Sequence, residues 1–548
     1  MLGQSIWFDK QIELLPEGRM ADTTTEAGPM SWRSKAASPA AALLLAVVAA
    51  AVYVIALYQY SALLFQDYPN HLARAVVLAD LWFLHGSHFG NAFQFQAMAY
   101  PYIAGDYLLA IAVEVLGPRG ATFLWTALAV LSLPCAMLFY LRAMEAPASS
   151  RAFIFLVALY LSTDAFFFLG FINFRFAIAL TVVALALAQI LRRRYSPMLF
   201  VIYCLTIAFG YLMHLGFVVF AAAAIGSSGL FRLWRRATSL GRELCLLVPI
   251  ALAVLWYGLS QWVYPATREA IPTHFVWGGL HAKFRRLDWA FIRFDEPVDV
   301  LFLVAFLMLL LWAARERLRR PSVLPILTWE PPLLAVVFAG LYLALPMAFG
   351  DPTYLDVRAL TCLPVFAALW CAAVFTGPSA AASHMDSRAV LGGATLFLAA
   401  NLCYLCAHLT TERNWLGQYR ALLSAIPSAT NVLPIYTGVH ELTRFPYLHV
   451  NSFVVVDRQA MVPYLFAGDQ GQPMKYFRYR NHPYAPHNTW YTFTPPQPVD
   501  WPTVGCTYDY LLVMKPFDAA RIGLPTKVIA QNSSATLLAP DGMACHGK

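Results

Sequence analysis

What most constrains this chain is an alternation of long apolar runs with short clusters of arginine. The runs lie near 40–63, 120–141, 152–169, 173–191, two within 197–231, then 244–264, 298–314, 331–349, 358–376 and 389–408. About 17–25 apolar residues cross the ~30 Å hydrocarbon layer as a helix, and a helix satisfies its own backbone groups where no water can. The reading is an α-helical polytopic membrane protein with about 11 transmembrane helices. Composition agrees, since a chain of 548 residues that is 59% hydrophobic and only 12% charged is far from a soluble domain. The net charge of +8 does not signal nucleic acid, because the basic residues stand in short clusters between apolar runs. Arg142 with Arg151, Arg192 to Arg194, Arg232 with Arg235 and Arg236, and Arg315 to Arg320 fall on alternate turns. The positive-inside rule puts those turns in the cytoplasm.

This orientation divides the chain. Residues 1–37 lack the apolar stretch of a signal peptide and read as a cytoplasmic N-terminal segment. Residues 38–408 read as the transmembrane module, with a large first outer loop at 64–119. Residues 409–548 read as an extracytoplasmic domain of mixed α/β structure, with β-like runs at 452–456 and 510–514. Seven cysteines lie in apolar runs as small hydrophobes. Cys506 and Cys545 lie in the tail, where an oxidising compartment would let them pair; the sequence leaves open whether they do.

The most informative stretch follows the first run: Phe65-Gln66-Asp67-Tyr68-Pro69-Asn70-His71-Leu72-Ala73-Arg74. Pro69 suits a first helical turn, and from there Asp67, Asn70 or His71, and Arg74 share one face at spacings of three or four. A carboxylate, an imidazole and a guanidinium at a membrane surface can take a proton from a hydroxyl and hold a phosphate. The structural alternative makes Asp67 an N-cap, His71 a surface residue and Arg74 an interfacial anchor. The same loop carries a second short helix, 102–116, ending at Gly117-Pro118-Arg119-Gly120. A full crossing there would invert the arginine pattern, so it reads as interfacial or re-entrant.

Further polar groups punctuate the outer turns. Asp164, Asn173 and Arg175 flank a phenylalanine cluster, and His214 lies at a tight turn between two short spans. Lys283 belongs to a basic, aromatic loop, and Arg358 ends the polar turn 350–358. Such groups are costly at membrane depth unless used, although Arg119 and Lys283 read more readily as interface anchors. Asp67, Asp164, Asp351 and Asp356 form no DxD pair. A hard cation needs several converging oxygens, so neither a cofactor nor an essential metal is expected.

The order of features resembles the GT-C superfamily of polytopic membrane glycosyltransferases, which take sugar from a polyprenyl-phosphate carrier. Asp67 matches the acidic residue opening the family's first outer loop, and Arg119 the basic residue opening the second span. His214 stands where several members carry a lysine near the carrier phosphate, a departure because imidazole is only partly charged near neutrality. The resemblance implies a bacterial inner-membrane enzyme transferring a sugar to an acceptor on the outer face, inverting, with Asp67 as general base. It implies a polyprenyl-phosphate-linked donor; with Arg119 and His214, the residues whose chemistry and position suit a donor phosphate or pocket are His71, Arg74, Asp164, Asn173, Lys283 and Arg358. A transporter or lipid flippase is the alternative, and it would require polar residues at the midplane.

Overall fold

The computed structural model describes residues 39–61, 66–95, 98–263, 275–294, 297–319, 325–349, 354–372, 384–435, 447–463, 465, 477–479, 499–514 and 521–541. Each apolar run carries helix. The elements are α1 (Pro39–Ser61), α2 (Tyr68–Phe83), β1 (Phe93–Phe95), α3 (Ile103–Ala143), α4 (Ala148–Leu161), α5 (Ala165–Phe168), α6 (Ile172–Arg193), α7 (Pro197–Met213), α8 (Leu215–Trp234) and α9 (Leu240–Val263). Then come β2 (Phe275–Val276), α10 (Leu280–Phe284), α11 (Pro297–Arg319), α12 (Pro325–Ala344), β3 (Ala348–Phe349), α13 (Leu355–Leu360), α14 (Cys362–Cys371) and α15 (His384–Leu423).

Six of the described helices are long and apolar enough to cross a membrane: α3, α6, α8, α9, α11 and α15. Burial sorts them. The apolar window of α6 is 78% buried, against 28% for α9, α11 and α15, so α6 lies inside the bundle and the other three present leucine and valine outward. Exposed Leu252, Leu255 and Leu259 on α9 are what a lipid-facing surface requires.

Two expected boundaries shift. The run at 152–169 is not one helix, because the Asp164 side chain accepts the Phe167 N–H and starts α5 as a separate turn. The expected interfacial helix and the following span are joined as α3, broken at Gly117 (φ 69°, ψ 169°). Glycine reaches that left-handed backbone and the following proline suits a restart, which is why the break falls on Gly-Pro.

The tail forms a four-stranded sheet of β4 (Val432–Ile435), β6 (Tyr510–Met514), β8 (Ala535–Pro540) and β7 (Thr526–Gln531), in that spatial order. β4 and β6 are parallel and the rest antiparallel. The crossover carries α16 (Phe453–Arg458), β5 (Phe477–Tyr479) and α17 (Trp501–Thr507). The β-like run at 452–456 is therefore helical, a correction to the sequence reading. Phe453, Val454 and Val455 are fully buried, α16 packs on α2 and α15, and packing on two sides overrides β-propensity. Cys506 is disulfide-bonded, and Cys545 lies outside the described residues. β1 pairs antiparallel with β5, joining the segment between α2 and α3 to the tail.

Buried polarity collects toward opposite ends of α6, whose 22 residues span about 33 Å. At its C-terminal end Glu330 accepts from Ser228 and Tyr140 at 2.5 Å each, while Arg192 pairs with Glu243 at 2.7 Å. At its N-terminal end, Gly170 (φ +79°) lets the chain run against Asp67: a Cβ there would stand 2.8 Å from the Asp67 nitrogen and 2.6 Å from that of Tyr68. The Asp67 N–H donates to the Leu169 carbonyl at 3.0 Å. Gly170→Ala should lower stability by at least the ~1–2 kcal/mol of a left-handed alanine, read as a melting temperature below wild type. Gly226→Ala, where a Cβ meets nothing within 4 Å, should leave the melt unchanged or slightly higher.

Candidate active site

Asp67 follows α1 and precedes α2. Its backbone is already helical (φ −91°, ψ −18°) and its side chain makes no capping hydrogen bond. The Asn70 and His71 N–H groups donate instead to its main-chain carbonyl, at 3.1 and 3.2 Å. The carboxylate is thus not used in holding its own helix, which removes the N-cap role. Its side chain is 17% exposed. Burial raises its pKa to about 7, against the opposing pull of Arg358 and then Arg74.

About two turns along α2, Arg74 is fully buried and donates to Asp106 of α3 at 2.5 Å. His71 Nδ1 lies 3.0 Å from the Arg74 guanidinium and 3.4 Å from Asp106. The spacing of three between His71 and Arg74 does bring them together, and the guanidinium charge is matched inside the protein. Burial holds His71 below its ordinary pKa, so it is largely neutral at pH 7.

Arg358 of α13 is the cation nearest in effect to Asp67. Its Nη1 lies 3.1 Å from His214 Nε2, and its guanidinium stacks over Phe171 and Phe174 at 4.9 and 5.5 Å. Tyr102 hydrogen-bonds to it and packs edge-on against His214 at 4.6 Å. Its Nε is buried without a hydrogen-bond partner. Burial, then Arg358, holds His214 well below its ordinary pKa, so the imidazole supports Arg358 as a neutral group and adds no second cation. Tyr102 (φ 78°) and Tyr354 (φ 63°) open α3 and α13 in left-handed backbone, a strain that non-glycine residues bear where surrounding contacts enforce it.

The other candidates are placed differently. Asp164 pairs with Arg175, whose Nη2 also donates to the Leu161 carbonyl at 2.6 Å; this pair shapes the segment that carries Gly170. Asn173 packs against α3 so tightly that a Cβ on Gly105 would stand 2.2 Å from its Oδ1. Lys283 donates to the Tyr342 and Leu345 carbonyls at 2.9 and 2.6 Å and pairs with Asp356 at 3.4 Å. It fastens its loop to the end of α12. Arg119 is exposed and meets α1 through its carbonyl, which accepts from Tyr58 at 3.4 Å. Asp351 lies outside the described residues. Among those described, no group of three or more His, Cys, Asp or Glu is gathered as a metal site.

His449 escaped the sequence reading. It comes from the tail, is buried, and places Nε2 3.5 Å from Asp67 Oδ1 and Nδ1 3.4 Å from Asn70 Nδ2. Burial, then the neighbouring His71, drives its pKa down to about 3, so the contact is made by a neutral imidazole. Nothing local marks a histidine in a polar tail as the neighbour of a carboxylate 382 positions earlier (449 − 67).

No protein-family model and no curated protein matches the chain. Solved structures do. ArnT from Cupriavidus metallidurans in the apo state aligns at TM-score 0.53 and 12% identity, over 91% of this chain and 97% of that one. The same protein bound to undecaprenyl phosphate aligns at TM-score 0.51 and 12% identity, over 92% and 99%. The likeness is one of fold across almost the whole of both chains.

Arg74→Met should leave Asp106 as an uncompensated buried charge and cost about 3–5 kcal/mol. Adding Asp106→Asn should recover part of that loss. Arg119→Ala should stay within about 0.5 kcal/mol of wild type. Thermal melts of the four proteins check the ranking.

Proposed function

We propose that this chain is a membrane glycosyltransferase that moves one sugar from a polyprenyl-phosphate carrier to an acceptor hydroxyl on the outer face, with inversion. The observation that carries the reading is Asp67: a partly open carboxylate, not used as a cap, with a pKa near 7 and the Arg358 guanidinium as its strongest charged neighbour. Asp67 takes the hydroxyl proton as the acceptor oxygen attacks the anomeric carbon. The bond from that carbon to the phosphate oxygen breaks, and the carrier phosphate leaves with the electron pair. A base is best poised near the working pH, and a cation facing the departing oxygen lowers the barrier.

Arg358 suits the second role because its buried Nε has no hydrogen-bond partner and guanidinium binds phosphate through several donors. That a structure of ArnT was obtained with undecaprenyl phosphate supports a carrier of that class. The orientation that fits is the one the arginine pattern demands, with about 11 crossings, the N-terminal segment in the cytoplasm and the tail outside, in a bacterial inner membrane. The described buried polar clusters lie toward the bundle ends, which favours an enzyme over a transporter.

Purified protein incubated with radiolabelled polyprenyl-phosphate sugars and membrane-extract acceptors should transfer label from one of them. Asp67→Asn should slow that transfer by about 10²–10⁴-fold while retaining donor binding. Because the ionised form acts, the wild-type rate should rise with pH through an ascending limb near 7. Stability runs the opposite way. A carboxyl whose folded pKa exceeds its ordinary 3.8 contributes stability below pH ~4 that is lost as pH climbs through about 7. Asp67→Asn should therefore melt above wild type at pH 8, with the gap closing toward pH 4. Equal transfer rates in the two proteins would remove Asp67 from the chemistry.

A further inference from the structure

The segment that carries His449 is held rigidly against the membrane module. Arg420 of α15 bonds to Asp457 of α16 at 2.6 Å, and Tyr447 bonds to Glu412 of α15. The Ser452 N–H donates to the His449 carbonyl at 3.0 Å and the Val450 N–H to that of Tyr447 at 3.1 Å. His449 is 2% exposed, so its ring is fixed between α2 and the tail. The two ring nitrogens face different partners. The Asn70 amide nitrogen is a donor and stands 3.4 Å from Nδ1, so Nδ1 is the accepting nitrogen. In a neutral imidazole the proton then sits on Nε2, the nitrogen 3.5 Å from Asp67 Oδ1.

We infer that His449 is a positioning residue for Asp67: its Nε2–H donates to Oδ1, favours the ionised carboxylate and leaves Oδ2 turned to the acceptor hydroxyl. The inference rests on the catalytic reading of Asp67 for its role in rate, but not for its effect on the carboxyl itself. A separation of 3.5 Å is long for a hydrogen bond, as catalytic contacts often are in a substrate-free site. The arrangement makes the tail part of the active site, because a membrane-module carboxylate depends on a donor from the last quarter of the chain.

The charged and titratable groups around the carboxyl are Arg358 from α13, Arg74 from α2 and His449 from the tail, with His71 and Asp106 behind Arg74. Removing only the His449 donor leaves the two arginines in place. The carboxyl should then take up its proton more readily, so its midpoint should rise.

The test titrates the protonated-carboxyl infrared band that disappears in Asp67→Asn. In wild type its midpoint should lie near pH 7. In His449→Leu, which keeps the site filled but removes the donor, it should rise by about one to two pH units. His449→Gln, whose amide N–H can replace Nε2–H, should bring it back. Asn70→Leu releases the tautomer while keeping the imidazole and should shift the midpoint upward by less; it carries the test should His449→Leu not fold. Transfer near pH 7 should fall about 10–100-fold in His449→Leu with donor binding unchanged, and return in His449→Gln. Midpoints unchanged in His449→Leu and Asn70→Leu would overturn the inference whatever the transfer rates. A shifted midpoint in a protein that transfers none of the donor sugars would sustain the His449 contact and reject the glycosyltransferase reading.

Discussion

The buried pair of Arg74 and Asp106 is the interaction on which the Asp67 end of this molecule depends. It joins the first-loop helix to the kinked helix that follows it, with both side chains almost wholly removed from water. Neither charge is tolerable there alone, so the two helices adopt one relative position. That position sets the face of α2 on which Asp67, Asn70 and His71 stand. Gly170 completes the constraint from the other side, because only a residue without a side chain lets the backbone before α6 close on Asp67. A carboxylate held by neighbours rather than by its own hydrogen bonds is free to act.

That frame explains why the pKa of Asp67 differs from that of an ordinary carboxyl while Asp106 stays paired. Asp106 has a guanidinium at 2.5 Å. Asp67 feels Arg358 and Arg74 at longer range, and among the described residues its side-chain neighbour is a neutral imidazole at 3.5 Å. Burial therefore dominates at Asp67 and raises its proton affinity. The same buried surface thus holds two carboxyl groups with different tasks, one structural and one suited to proton transfer.

Much of this was legible in the sequence for a physical reason. Apolar runs in a membrane have only one backbone solution, so helices over 173–191, 244–264 and 389–408 follow from composition and length. The helix of Asp67 was legible because Pro69 and the spacing of three between His71 and Arg74 act locally. The stretch 452–456 was misread because four adjacent β-branched or aromatic side chains, Phe453 to Val456, look like a strand until their neighbours on two sides are known. Arg74 and Lys283 looked like phosphate ligands because sequence shows a charge but not its partner, and Asp106 and Asp356 supply those partners from elsewhere. His449 was illegible for the same reason: its position opposite Asp67 is a product of the assembled fold, fixed through Arg420 and Asp457 and through the β1–β5 pairing.

The proposed reaction, with one carboxylate base beside a phosphate-binding arginine, has a definite stereochemical consequence. Among the described residues Asp106 and Asp356 are held by cations, so on this reading no second carboxylate forms a covalent glycosyl intermediate and the acceptor displaces the carrier phosphate directly, from the opposite face of the sugar. The most direct measurement is the anomeric configuration of the transferred sugar, determined by NMR on the product of one turnover from a donor of known configuration. The account predicts the opposite anomer to that of the donor. A product of the same anomeric configuration would contradict direct displacement with Asp67 as the base.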